Sequence, residues 1–545
     1  MEPTLSPSAY TDTFARDHLP PLDQWPDLTS PLPELRYPDR LNCAEELLDR
    51  TIERHGPNRP AVRGERSSWT YGELRWLVDR AARVLTEEIG VRPGNRVLLR
   101  GPNSPWLAAC WMAVLKAGGI AVTVLPVLRS GELTDILRSA RISHAVCDAR
   151  FADDLDTAAD RAAPDLPART RVTLYGSGRT DDLTARVAAA PGTPFPAVPT
   201  AADDVALIAY TSGTTGRPKG CVHFHRDVLA IADTFSAHVL RPHTDDLFAG
   251  SPPLAFTFGL GGLLIFPLRA GACTLLLEKA GPERLLRAIE EEHATVVFTA
   301  PTAYRAMLGR AAARDLTSLR RCVSAGEHLP AATWKSWLDA TGLRLIDGIG
   351  ATEMLHIFIS AADDDIRPGA TGLPVPGFTA AVLGADGAPV PDGTPGRLAV
   401  RGPVGCRYLD DERQRRYVRD GWNITGDTYV RDADGYFWYR SRSDDIIVSS
   451  GYNIAAIEVE EVLMRAPQVA EAAVVGIPDP DRGQLVKAFV IPRDGAPASE
   501  DTAEAIKRFV TAEIAPYKAP RAVEFTDALP RTPTGKLQRF KLREG

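Results

Sequence analysis

The sequence predicts an α/β protein: a large N-terminal region made of two α/β sheets and a β-rich subdomain, followed by a small α+β domain. Three observations carry this. From about residue 40 to Arg150, and again from Val205 to about Pro368, helical stretches alternate with short β-like runs, as βα units on largely parallel sheets do. After Thr371 the texture turns to short strands separated by Gly, Pro and Asp, the mark of an antiparallel unit. From Arg442 a compact strand and helix alternation of about 100 residues closes the chain. The length of 545 residues agrees, since one hydrophobic core stops growing near roughly 250–300 residues.

Before about residue 40 proline is dense and periodicity weak, which predicts an extended arm over a core. In the first block NCAEELLDRTIERHG and TYGELRWLVDRAARVLTEEIG read as helices, NRVLLRG and GIAVTVLP as strands. Residues 152–200 are rich in Ala, Asp, Arg, Pro and Gly with little apolar patterning, so a surface excursion is expected there. VALIAY, CTLLL, TVVFTA, RRCVSAG and LRLIDGI are the strands of the second block, and TAAVLGADGAPVPDGTPGRLAVRG carries the antiparallel unit. The last domain reads as strand IIVSS, helix AAIEVEEVLMRA, strands EAAVVGIPD and KAFVIPR, and helix SEDTAEAIKRFVTAEI. The expected domains are 1–441 and 442–545.

Composition excludes several classes. The chain is 44% hydrophobic and 24% charged, ordinary for a folded globular protein. Lys+Arg 63 against Asp+Glu 70 gives a net charge of −7 with no basic stripe, so nucleic acid is not an expected partner. The seven cysteines are scattered singly without C-x-x-C spacing, and read as reduced buried thiols rather than metal ligands. The two longest apolar runs, from Trp106 and Leu254, are interrupted by Lys116 and by Pro267 and Arg269, so no membrane span is expected. The opening MEPTLSPSAYTDTFARDHLPP has no apolar core, and a cytoplasmic location is the expectation.

The most informative run is YTSGTTGRPKG, Tyr210–Gly220, directly after the apolar VALIA. Three glycines, four hydroxyls and a lysine after a strand suit a loop whose N–H and hydroxyl groups wrap a polyphosphate. It is not a Walker A loop, because Arg217 and Pro218 separate Gly216 from Lys219.

This run resembles the phosphate loop of the adenylate-forming superfamily of acyl-CoA synthetases, luciferases and adenylation domains. Four further runs match in family order: DGIGATEMLH (Asp347–His356), TGD (Thr425–Asp427), SRSDDIIVSSGYNIAAIEVE (Ser441–Glu460) and PRTPTGKLQR (Pro530–Arg539). SPPLAFTFGLGG and GYFWYRSRSDD resemble the benzoate-CoA and 2-aminobenzoate-CoA ligases in particular. The resemblance implies a large adenylation domain, a mobile C-terminal domain, and ATP, Mg²⁺ and coenzyme A as reaction partners with a small aromatic acid.

It also implies roles for residues. Thr211, Ser212, Gly213, Thr214, Thr215 and Gly216 would hold the phosphates with Lys219, and Thr352 and Glu353 would act at the reacting groups, Glu353 on Mg²⁺. Ala325, Gly326 and Glu327 with Asp347, Gly348 and Ile349 would sandwich the base, Ile349 standing where a tyrosine is common. Asp427 would take the ribose hydroxyls and Arg442 the ribose and phosphate. Asp444 would be the hinge, Lys536 the lysine bridging carboxylate and α-phosphate, and Gly451 the opening for a pantetheine arm or a plain turn glycine. Phe256, Thr257, Phe258, Gly259, Gly350, His356 and Ile357 would shape an aryl slot, with His356 either a hydrogen-bonding group or a structural histidine. The implied activity is an AMP-forming aryl-CoA ligase. The alternative is an aryl acid adenylating enzyme that loads a carrier-protein phosphopantetheine, and either would act as a monomer or homodimer.

Overall fold

The computed structural model describes residues 5–29, 31–211, 218–442, 446–449, 452–479, 483–514, 518–531 and 537–544. The chain divides into two compact units, Met1–Arg367 with Gly372–Ala380 and Val400–Asn423, and Pro368–Thr371 with Ala381–Ala399 and Ile424–Gly545. The mixed α/β architecture expected from the sequence is what the structure contains.

The first unit is built on two sheets. In the six-stranded one the order is Arg171–Tyr175, His144–Asp148, Arg96–Arg100, Ile120–Val124, Val205–Thr211, Lys219–Phe224. All pairs are parallel except the last, an antiparallel hairpin. Arg96–Arg100 and His144–Asp148 are buried at every position, as strands covered on both faces must be. The helix Pro105–Lys116 buries all but one of its residues. It starts where it does because Ser104 accepts from the Leu107 N–H at 3.2 Å and Pro105 lacks a donor to satisfy.

In the nine-stranded sheet, Pro60–Gly64, Cys273–Leu276, Leu247–Gly250, Val296–Thr299, Arg321–Ala325 and Leu345–Gly350 run parallel. Ile357–Ser360 then turns back antiparallel to Leu345–Gly350. α/β sheets place their ligands outside the carboxyl ends of the parallel strands, and the motif DGIGATE runs off that end of Leu345–Gly350.

The N-terminal arm behaves as expected: Tyr10 Oη donates to the Val205 carbonyl at 2.5 Å and Arg16 pairs with Asp204 at 2.8 Å. The 152–200 segment does not. Helix Ala152–Ala162 buries Leu155, Ala158, Ala159 and Ala162, and Arg171–Tyr175 is the edge strand beside His144–Asp148. The spacing of 155, 158, 159 and 162 is helical, but three of the four are alanines, whose small apolar faces give little contrast.

A five-stranded sheet of Thr379–Leu383, Gly396–Arg401, Trp422–Arg431, Val418–Arg419 and Phe437–Arg442 holds the points where the chain passes between units. In the second unit, Tyr452–Ala455, Ile446–Ser449, Gly483–Pro492, Val469–Asp479 and Ala522–Phe525 form another sheet. Ile447, Ile454, Val459, Val474, Ile506 and Val510 lie in its core. Glu460 accepts the Val474 N–H at 2.7 Å and both oxygens meet Arg539 Nη2, at 2.7 and 2.9 Å.

Lys116, which breaks an apolar run in the sequence, is only 2% exposed. Its ammonium is held by Asp79 at 2.6 Å and Asp49 at 2.8 Å. Removing the cation strands two carboxylates in a place where burial already pushes the Asp79 carboxyl upward. Lys116→Met is therefore expected to lower stability by about 3–5 kcal/mol in urea unfolding, and a loss under about 1 kcal/mol would show the triad to be dispensable.

Candidate active site

The phosphate-loop candidates sit on a hairpin. Val205–Thr211 and Lys219–Phe224 pair with Tyr210 opposite Gly220 and Thr211 opposite Lys219, so the strand ends nearest the loop are fixed by ladder hydrogen bonds. Ser212, Gly213, Thr214, Thr215 and Gly216 lie outside the described residues, as do Asp444, Gly451 and Lys536. The residues on either side of the Lys536 segment meet in an isolated antiparallel Arg531–Leu537 bridge. In the second unit Asp427 faces Arg442 across two antiparallel strands and is 8% exposed.

Beside the hairpin, Leu345–Gly350 runs into a short 3₁₀ turn, Thr352–Met354, which Leu355 ends at φ +63°. A leucine in that left-handed region is strained, and such strain persists only where neighbours hold it. The returning strand sets Gly350 against Ile357, and a Cβ at Gly350 would lie 2.8 Å from the His356 carbonyl oxygen. Glycine is required by that approach.

Glu353, on the turn, is 8% exposed and accepts a hydrogen bond from Tyr408 Oη. Lys219 Nζ stands 5.0 Å from the centre of the same ring and 3.3 Å from its oxygen. Burial first, and the Glu353 charge second, drive the Tyr408 phenol far above its ordinary pKa, so it remains a neutral donor. Lys219, Tyr408 and Glu353 thus form one chain of contacts. The Thr352 carbonyl accepts from His223 Nε2 at 2.7 Å.

Among the described residues no three His, Cys, Asp or Glu side chains gather at metal-ligand distances. A single carboxylate completed by phosphate oxygens and water is the donor set Mg²⁺ favours, and Glu353 fits it. Ala325 ends one strand, with Gly326 just after it, beside Asp347, Gly348 and Ile349 on the next, Ser324 facing Asp347 and Ala325 facing Gly348. Gly326 has φ +90° and nothing within 4 Å of where a Cβ would stand. Glu327 and Ile349 are half-buried at the edge of this opening. Asp347 Oδ1 has no hydrogen-bond partner, and burial holds its carboxyl well above the usual range.

The aryl-slot candidates divide. His356 is 2% exposed, with ring centroids of Phe266, Phe235, Phe258 and Phe298 at 4.6, 5.3, 5.7 and 6.3 Å. Neither of its nitrogens has a side-chain or backbone hydrogen bond of normal geometry. Burial pulls its pKa down to about 3, leaving a neutral imidazole in an aromatic cage. Gly261 and Gly262 permit that cage, since a Cβ would stand 2.4 Å from His356 Cδ2 or 2.5 Å from Phe298. Ile357 packs beneath Gly348, and Gly259 is pressed on the Pro253 carbonyl. Phe256 and Thr257 are half-buried at the start of the helix that carries Phe258 and Gly259. Sequence reasoning assigned no chemistry to His223 and did not find Tyr408, Phe235, Phe266 or Phe298. The alternation in KGCVHF, which puts Lys219 and His223 on one face, was the available signal for His223.

The AMP-binding enzyme family matches residues 48–408, and the AMP-binding enzyme C-terminal domain matches residues 458–536. The chain belongs to the AMP-binding enzyme family. The benzoate–CoA ligase of Thauera aromatica is 33% identical over 517 residues, covering 94% of this chain and 97% of that one. The 3-hydroxybenzoate–CoA ligase of Aromatoleum sp. (strain CIB) is 34% identical, over 92% and 97%. The anthranilate CoA ligase AuaEII, solved in complex with anthranoyl-AMP, superposes with a TM-score of 0.86 at 35% identity, over 93% and 98%. This AMP-binding enzyme is an AMP-forming acid–thiol ligase that uses ATP, Mg²⁺ and coenzyme A. Among its described residues no helix is long and apolar enough to cross a membrane.

The caged histidine has a measurable consequence. His356, with its pKa near 3, and His225, pulled by burial to about 4, stay neutral in the folded state while the unfolded chain takes up protons near pH 6.5. Stability from these groups is full above about pH 6.5 and falls as pH drops towards 4, by up to about 1.4 kcal/mol per pH unit for each. Urea midpoints between pH 7.5 and 5 should fall less steeply in His356→Phe than in the parent. Equal slopes would mean that His356 is not held neutral.

Proposed function

We propose that the protein activates an aromatic carboxylic acid of the 2-aminobenzoate or benzoate type and joins it to coenzyme A. The observation that carries this is the aromatic cluster beside Thr352 and Glu353: a neutral imidazole, neither nitrogen of which has a hydrogen bond of normal geometry, packed among four phenylalanine rings with centroids within 6.3 Å. Aromatic walls suit a flat ring better than a flexible acyl chain, and an uncharged His356 suits an ortho amino or hydroxyl group without attracting a second carboxylate. The named substrates of the similar ligases are aryl acids, which supports the same reading.

The reaction has two steps. A carboxylate oxygen of the acid attacks the α-phosphorus of ATP, an O–P bond forms, and pyrophosphate leaves. A thiolate sulfur then attacks the acyl carbon, the C–S bond forms and AMP leaves, with the thiol proton passing to solvent. In this proposal Thr211 to Gly216 and Lys219 hold the phosphates, and Thr352 and Glu353 face the reacting oxygens and the metal. Asp427 and Arg442 take the ribose. Lys536 neutralises charge developing at phosphorus, an effect worth on the order of 10²–10³ in rate. Gly451 leaves room for the pantetheine arm, and 442–545 turns as a domain about Asp444.

Incubation with ATP, Mg²⁺, coenzyme A and a panel of benzoate, 2-aminobenzoate, salicylate, cinnamate and medium-chain fatty acids, read by mass, tests the whole. An aryl-CoA should accumulate; an acyl-AMP without thioester would move the acceptor to a carrier protein, and preference for the fatty acids would overturn the aryl assignment. Lys536→Ala should lower adenylation by roughly 10²-fold or more yet keep thioester formation from supplied acyl-adenylate. Equal loss of both would remove its role. Gly451→Leu should show the reverse pattern, and normal transfer in it would place the thiol path elsewhere.

A further inference from the structure

The turn that carries Thr352 and Glu353 is held from one neighbouring ladder. Cys221 on the Lys219–Phe224 strand faces Tyr408 across an isolated antiparallel bridge, closed by Val222 N–H to Arg407 O at 2.8 Å and Leu409 N–H to Gly220 O at 2.9 Å. Alternation along both segments then puts Lys219, Cys221 and His223 on one face with Cys406 and Tyr408. Cys221, His223, Cys406 and Tyr408 are fully buried. Two of these side chains reach the turn: Tyr408 donates to Glu353 Oε1, and His223 donates from Nε2 to the Thr352 carbonyl at 2.7 Å.

The ladder itself is anchored. His223 Nδ1 faces the Asp227 carboxylate at 3.9 Å, and Asp227 is ion-paired with Arg407, both fully buried. The Arg407 guanidinium lies over Phe224 at 4.0 Å and Trp25 at 5.2 Å, and the Tyr408 N–H is taken by Gln414 Oε1 at 2.9 Å. Neither donor is free to swing away from the turn. The turn needs such holding, because it ends on a left-handed leucine at φ +63° that its own backbone would not choose.

We propose that Tyr408 and His223 are positioning residues for adenylation, fixing the Thr352–Glu353 turn so that one Glu353 oxygen is tied to Tyr408 and the other is presented to the metal. Among the described residues no hydrogen bond reaches Glu353 Oε2. This rests on the assignment of Glu353 to Mg²⁺ above. Partners behind a metal-bound group that set its orientation typically matter by roughly 10–100-fold in metal affinity or activity.

The test uses the full chain. Calorimetric ATP binding and pyrophosphate release are each measured across a Mg²⁺ series, together with the melting temperature in the absence of metal and nucleotide. Tyr408→Phe removes one oxygen and keeps the ring under Lys219. It should raise the Mg²⁺ midpoint by roughly 10-fold in both assays while binding of ATP without metal changes less than about 2-fold and acyl transfer from supplied acyl-adenylate stays at the parent rate. A parent-like Mg²⁺ midpoint in Tyr408→Phe overturns the proposal, even if the melting temperature falls. His223→Gln, which keeps an N–H for the Thr352 carbonyl, should recover most of the adenylation that His223→Leu loses. Equal loss in both would mean His223 only packs. Glu353→Gln separates the underlying reading: if its Mg²⁺ midpoint matches the parent, the metal assignment fails rather than the positioning.

Discussion

The contact on which the rest of this site depends is the hydrogen bond from a neutral phenol to a nearly buried carboxylate. Glu353 is 8% exposed, and a charge in that position is costly unless donors meet it. Tyr408 meets it from below, and its own environment forbids it to ionise. That contact joins two stretches of chain that are far apart in sequence, the 352–355 turn and the 405–409 segment. The segment after residue 400, part of the first unit, pairs with Lys219–Phe224 and so brings its donor to Glu353.

Within four residues the chain then builds opposite environments. Glu353 lies next to a hydroxyl and, through the ring, an ammonium; His356 lies among aromatic rings with no polar contact from a side chain. Burial around the second holds its imidazole neutral. The turn between them, with Leu355 in the left-handed region, separates Glu353 from His356 three positions on.

Much of this was legible in the sequence. The strands VALIAY, CTLLL, RRCVSAG and LRLIDGI announce themselves by apolar runs, the residue types of the hydroxyl-rich loop suit a polyphosphate, and DGIGATE is read through resemblance alone. Helix Ala152–Ala162 did not, because alanine carries too little hydrophobic contrast to mark a buried face, and strand Arg171–Tyr175 did not, because only Tyr175 of it is fully buried. The partners of Lys116 were not legible, because the two aspartates that meet it in the core are distant in sequence. Tyr408 and His223 were hidden for a related reason. Their roles are set by a bridge between residues about 190 positions apart, and no local pattern encodes which strand lies across from which.

The aromatic cage has a further physical implication. Its tightness comes from glycines: Gly261 and Gly262 let one helix approach until His356 and Phe298 fill the space that side chains would take. A cage packed this closely gives little under a larger ligand, since close-packed interiors respond to added volume with strain.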